Sequence, residues 1–426
     1  MNKTHEAMWK ALDLDLSAHE ALLTVLGRFY NDIYLSQSGR LKGMEYLDFV
    51  MREVHGLRIR EIQEAKSAGR KVIGLFCVFV PEELILALDG VCIGLCAGAE
   101  AGFDAAERYL PRNTCPLIKS FFGFRLARLC PYTSSCDLVI GETTCDGKKK
   151  AYELFGEFQP TYVMEVPQSK SAAARALFRT EMDRLRKAIE DLTGKGLEPG
   201  KLRNAIKLVN RRRRALNRLA ALRAAEPAPI SGRDALLINQ VAFYDDPVRF
   251  TETVERLCSE LEERVQKGEG VVPPRTKRIL LSGCPMAVPN WKLPYVIESS
   301  GAVIVGEESC VGARHTRDLV SEEAETVDGM LDALCDRYLK IDCATFTPNP
   351  ERLDNIVRMA RELHADGVIH YALQFCQPYA IESKKVEDRL AAEGIPFLRI
   401  DTGYSLEDME PLKTRVEAFL ETIGEE

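Results

Sequence analysis

Thirteen cysteines occur in this chain of 426 residues, yet no two of them form a C-x2-C pair, and the six histidines are not placed beside them. That removes the usual spacing of a zinc knuckle. Long apolar runs are missing as well. The longest, VIGLFCVFV from Val72, meets Pro81 and is far too short to span a bilayer. The opening twenty residues have no apolar core and no small-residue cleavage site, so no secretory leader is expected there. The expectation is a cytoplasmic protein with no membrane attachment. Positive charge is not in excess: 57 Lys and Arg face 64 Asp and Glu, a formal −7, which argues against a general nucleic-acid binder. A phosphate loop is absent too. GETTCDGKK puts five residues between its glycines instead of four, and no Ser or Thr follows the lysine.

What is present in quantity is cysteine. The number is odd, and a disulfide framework is a poor explanation in a reducing compartment. Metal ligation or redox chemistry becomes the leading reading. The length predicts two domains.

The chain divides by pattern. Residues 1–70 read as a helical segment, with Leu22, Val25, Leu26, Phe29 and Tyr30 as one apolar stripe. Residues 71–168 alternate strands (KVIGLFCVFV, VCIGLCAG, DLVIGETTC, TYVMEVP) with helices and predict a parallel α/β domain. Residues 169–270 are mostly helix, broken by EPAPISG, and form an insert or bridge. Residues 271–426 resume the alternation as a second α/β domain. The fold class expected is α/β, with two Rossmann-like domains whose parallel sheets face a common cleft. The run RRRR from Arg211 is expected to spread over a solvated helix face, with a docking surface for a partner protein as the other reading.

The cysteines mark an internal repeat. Cys77 ends KVIGLFC as Cys284 ends KRILLSGC; Cys96 answers Cys310; Cys145 in DLVIGETTC answers Cys376 in GVIHYALQFC. Cys115 precedes Cys145 by 30 residues, and Cys343 precedes Cys376 by 33. Most of these fall just past the carboxyl end of a strand, where open parallel sheets bind ligands. Cys145 also precedes a helix and is followed by Lys148, Lys149 and Lys150, a setting that favours thiolate. The lysines could balance an anionic cluster or attract an anionic substrate, and a nucleophilic Cys145 is a further option. Cys92, Cys258 and Cys335 lie in apolar patterns and read as small hydrophobes. Packing is also the reading for Cys96, and for Cys130 and Cys136, whose C-x5-C spacing is not a usual ligand spacing.

NTCPLIKSFFG (113–123), DLVIGETTCDGKKKAYE (137–153) and GVIHYALQFCQPYAIE (367–382) resemble the cluster-binding motifs of the 2-hydroxyacyl-CoA dehydratase and benzoyl-CoA reductase family. EESCVGARH, IPFLRIDTGYS and RVEAFLE match as well, so the likeness runs from about residue 70 to the end. The resemblance implies two α/β domains around an oxygen-sensitive iron–sulfur cluster. It implies a separate activator that hydrolyses ATP and supplies electrons, so that ATP is bound by the partner and not by this chain. In dehydratase subunits three cysteines hold one [4Fe-4S] cluster; here they are Cys115, Cys145 and Cys376. A single-chain, homodimeric branch instead holds an [8Fe-9S] double cubane on about six cysteines. Cys77 and Cys284 point to that branch, with Cys310 as the sixth ligand and Cys343 as its alternative. Glu142 and Lys148 are then expected behind the ligands or as proton suppliers. The function implied is reduction of a small molecule; a dehydratase subunit with one [4Fe-4S] cluster, or a non-catalytic electron carrier or cluster store, are the alternatives.

Overall fold

A computed structural model describes residues 5–423; the first four residues of the expected N-terminal segment, and the last three of the chain, lie outside the described residues. Four strands, β1 (Val72–Leu75), β2 (Val91–Gly94), β3 (Leu138–Glu142) and β4 (Thr161–Met164), form one parallel sheet in the order β2-β1-β3-β4. Four more, β5 (Lys277–Gly283), β6 (Ala302–Glu308), β7 (Gly367–Leu373) and β8 (Phe397–Thr402), repeat it as β6-β5-β7-β8. The expected α/β class with two Rossmann-like sheets is what forms. The inner strands are apolar runs because helices cover both faces; every residue of β6 and β7 is buried, while the edge strands β4 and β8 are partly exposed. The run KVIGLFCVFV yields a shorter strand than its length suggests. β1 ends at Leu75, and Val80 N–H turns back to the Cys77 carbonyl (3.3 Å).

Helices Glu6–Ala11, Leu16–Tyr30, Met44–Arg52 and Leu57–Ser67 precede the first sheet. In the expected stripe Tyr30 is buried and Leu26 and Phe29 pack against the core, but Val25 is 64% exposed. It points off the stripe because residue 25 is displaced by about 100° from residue 26.

Helices Ala172–Thr193, Pro199–Leu222, Gly232–Val241 and Pro247–Gln266 lie between the two sheets in sequence and join them in space. Ile73 of β1, Phe178, Leu185 and Leu202 of the bridge, and Leu334 of the second half share one core. The arginine run overturns part of its expectation. Arg212 and Arg213 are buried, and they pair with Glu82 and Glu83 of the first half. Glu83 also accepts from Tyr338 Oη of the second half at 2.7 Å. Only Arg211 and Arg214 lie at the surface, bound to Glu255 and Glu322. The bridge is therefore clamped to both sheets by buried charge as well as apolar contact. None of the described helices is long and apolar enough to cross a membrane.

Candidate metal centre

In each sheet the chain leaves in opposite directions from two neighbouring strands, β1 and β3 in one and β5 and β7 in the other. That reversal opens a crevice at the carboxyl ends. Cysteines sit there at matching offsets: Cys145 three residues past β3 and Cys376 three past β7, Cys96 two past β2 and Cys310 two past β6. Cys77 follows β1 by two residues and Cys284 follows β5 directly. Gly283 makes that last turn at φ +119°, and a side chain there would collide with the Tyr371 carbonyl.

The two edges meet at one cavity of about 1710 Å³. Cys77, Cys96, Cys115, Cys145, Cys284, Cys310, Cys343 and Cys376 all line it, and Cys92 borders it as well. Cys258 and Cys335 are packed in helix cores and bond to the carbonyls of Ala215 and Arg175, and Cys136 to that of Tyr132.

The lining cysteines fall into two groups. In the first, Cys376 lies against both Cys115 and Cys284, and Cys145 lies beside Cys115 and Cys376. In the second, Cys77, Cys310 and Cys343 lie within electrostatic reach of one another, with Cys96 at the margin next to Cys310. Burial pushes the Cys96 and Cys343 thiols up to about 12 and holds Cys77 well above its usual range. Cys115 is raised by its contact with Cys376 and by burial. Left to themselves these thiols keep their protons; iron in contact with them would remove that preference.

Among the described residues no three His, Cys, Asp or Glu side chains converge tightly enough for one metal ion. The donor set is instead soft sulfur, spread in two groups around a roomy cavity, which fits a polynuclear iron–sulfur cluster better than a single ion. Helix ends reinforce the fit. Cys115, Cys145 and Cys376 are the N-cap residues of helices Pro116–Leu126, Asp146–Phe155 and Gln377–Ala392. The positive ends of three helices thus meet at three sulfurs that would carry negative charge if they held iron. Cys145 Sγ accepts from Lys148 N–H at 3.4 Å, and the Cys115 carbonyl accepts from Ile118 N–H at 3.0 Å.

Comparison with known proteins gives the family. The sequence model of the family described as 2-hydroxyglutaryl-CoA dehydratase, D-component, matches residues 77–423. The chain belongs to this dehydratase family. It is 38% identical over 365 residues (85% of this chain, 94% of the other) to an Escherichia coli K12 protein with the provisional name dehydratase subunit YjiM. It is 25% identical to the (R)-phenyllactyl-CoA dehydratase beta subunit of Clostridium sporogenes (85% and 94% covered). It is 22% identical to one of the benzoyl-CoA reductase subunits of Thauera aromatica (85% and 93% covered).

Around the cysteines of this dehydratase-family chain, only one of the three lysines faces the site. Lys148 Nζ is buried against Glu142 and lies 3.4 Å from the Phe76 carbonyl. Glu142 also accepts from Thr144 Oγ1 (2.9 Å) and Tyr152 Oη (3.2 Å). Burial opposes the Lys148 charge, but Glu142 outweighs it and holds the ammonium well above its usual range. Lys149 and Lys150 point outward, to Asp146 and Glu153, because successive helical residues turn by about 100°.

Sequence reasoning missed the polar wall behind the second group. Arg314 Nη1 lies 3.7 Å from Cys310 Sγ and donates to Tyr379 Oη, which lies 3.6 Å from Cys343 Sγ. Arg314 and Arg352 both pair with buried Glu308, and Arg352 also with Glu382. Arg314 and Tyr379 stood within the motifs EESCVGARH and QFCQPYAIE, but nothing in their spacing says that they reach one sulfur pair.

Proposed function

We propose that this chain holds an [8Fe-9S] double-cubane cluster and reduces a small molecule with electrons from a separate, ATP-hydrolysing activator, working as a cytoplasmic homodimer. The observation that carries the reading is the presence of two cysteine groups at one cavity, where a single [4Fe-4S] cluster would need only the three motif cysteines. Cys115, Cys145 and Cys376 are the proposed ligands of one cubane. Cys77, Cys310 and Cys343 are the proposed ligands of the other. This set differs from the one expected from sequence. Cys343 stands with Cys77 and Cys310, while Cys284 stands with Cys376 and accepts from Leu373 N–H (3.4 Å) as a packed neighbour. When bound, such a cluster supplies single electrons at low potential.

The protein's own groups do the rest. Val311, Phe243 and Leu75 wall the cavity with apolar surface and limit water. Lys148 Nζ, fixed by Glu142, holds a proton beside Cys77 and Cys145 and is the proposed donor to a reduced substrate. The bridge at 169–270 is proposed to set the gap between domains at 71–168 and 271–426, with 1–70 as a helical cover.

The names of the relatives favour a second reading, a dehydratase subunit with one [4Fe-4S] cluster and a different partner subunit. Iron and acid-labile sulfide per chain, measured on anoxically purified protein with electron paramagnetic resonance, separate the two. About eight irons with slightly more sulfide supports the double cubane; about four supports the dehydratase subunit; none refutes both.

A further inference from the structure

The two cysteine groups face different hydrogen-bond donors. Cys145 Sγ accepts from the Lys148 N–H at its helix start, and Lys148 Nζ, paired with Glu142, lies near a sulfur of each group, Cys145 and Cys77. Among the described residues, the second group alone has a buried guanidinium, itself paired with Glu308, directed at its sulfur. Arg314 is 1% exposed, and its Nη1 points at Cys310 Sγ at 3.7 Å. The same nitrogen donates to Tyr379 Oη, which leaves the phenol's own proton free to be donated to a Cys343 thiolate, 3.6 Å away. Tyr379 is itself 6% exposed and is held between two guanidinium groups, Arg314 at 5.1 Å and Arg352 at 5.0 Å from its ring centre. Glu308 fixes both arginines, so the arrangement is preorganised. One cation thus addresses two sulfurs, directly and through a phenol.

Donors directed at sulfur stabilise the more negative, reduced form of an iron–sulfur centre and raise its potential. Charge-assisted donors do so more strongly than neutral ones. We infer that Arg314 and Tyr379 are positioning residues that make the two halves of the centre unequal, setting the Cys77, Cys310 and Cys343 half at a higher reduction potential than the Cys115, Cys145 and Cys376 half. This rests on the double-cubane reading above. It adds a direction: the better electron-holding half is the one backed by Arg314, and the half at the helix starts is the poorer one.

The test is a redox titration of the anoxically purified holoprotein, followed by electron paramagnetic resonance, with iron counted on the same sample. Tyr379→Phe removes one hydroxyl and keeps the ring between the arginines. The expected result is unchanged iron, with the higher of two potentials moved to a more negative value and the lower one unmoved. Arg314→Lys should move the same potential further in the same direction; if it does not fold, Tyr379→Phe decides alone. About eight irons with neither potential moved, or both moved equally, would overturn the inference and leave the cluster reading standing. About four irons in the unmutated protein would overturn the cluster reading, and the inference with it.

Discussion

β3 and β7 end alike. Each runs three residues beyond its last residue to a cysteine that caps a helix, Cys145 in the first half and Cys376 in the second. What stands behind the two edges differs. The first half supplies a compact pair, Glu142 with Lys148. The second supplies a network, Glu308 and Glu382 with Arg314 and Arg352. The backbone repeat therefore fixes where sulfur falls, while the buried charges behind it are chosen separately in each half. One strand order can present two cysteine sets in different fields.

The strongest way to break this comparison is to remove a sulfur. Cys145→Ser should lose the iron held by the first group, at least half of the total, because the helix cap remains but the soft ligand does not. Iron analysis of anoxic protein reads this directly. A variant with full iron content would remove Cys145 from the ligand set. The matching change Cys343→Ser sharpens the comparison. It should lower iron if the second group holds metal, whereas Cys284→Ser should leave it nearly unchanged.

Next in size is the clamp that sets the two halves against each other. Arg213→Met strands the Glu83 carboxylate, which is 0% exposed and, among the described residues, keeps Tyr338 as its hydrogen-bond partner. Breaking such a buried pair costs about 3–5 kcal/mol. The measurement is denaturant unfolding at fixed pH, with an expected large fall in midpoint. Removing Arg213 and Glu83 together for apolar residues should recover much of the loss. A single-variant loss no larger than that of a surface ion pair would mean that the bridge is held by apolar packing alone.

A smaller effect comes from acid. His315 lies against Glu82 at 3.5 Å and stacks on Phe243, and burial pushes its pKa from 6.5 down to about 4. Between those values the unfolded chain binds a proton that the folded one refuses. The stability from neutral His315 is thus complete above pH 6.5 and falls as pH drops towards 4. Burial works against the Glu82 charge, but Arg212 and His315 outweigh it and hold its pKa below the usual range, so Glu82 adds a loss only at still lower pH. His19, His55 and His370 are also lowered, chiefly by burial, and act in the same direction as His315. Urea midpoints from pH 7.5 to 5 should fall in the unmutated chain. His315→Gln should fall with a slope shallower by about one proton. An unchanged slope would show that His315 is solvated.

Much of this was legible in the residues. Short apolar runs separated by helical periods give the strands, and cysteines just past those runs give the edge. Which cysteines share a group was not legible, since that depends on how far the bridge lets the two edges approach. Cys284 turns off β5 towards Cys376, and Cys343, on the loop after helix Val327–Tyr338, reaches Cys310; the proposed ligand set follows that grouping.

The arginine run shows a case where the signal was present and needed only geometry. Four consecutive helical residues sweep about 300°, so a helix packed on any face cannot keep all four in water. Helix Pro199–Leu222 is packed on both halves, and Arg212 and Arg213 fall inward while Arg211 and Arg214 fall outward. The smallest predicted effect follows from the same turn. Arg211→Ala removes only a surface pair with Glu255 (2.6 Å) and should leave the unfolding midpoint unchanged within error. A loss approaching that of Arg213→Met would mean that the outward face is covered in solution, and would restore a partner-docking role to Arg211.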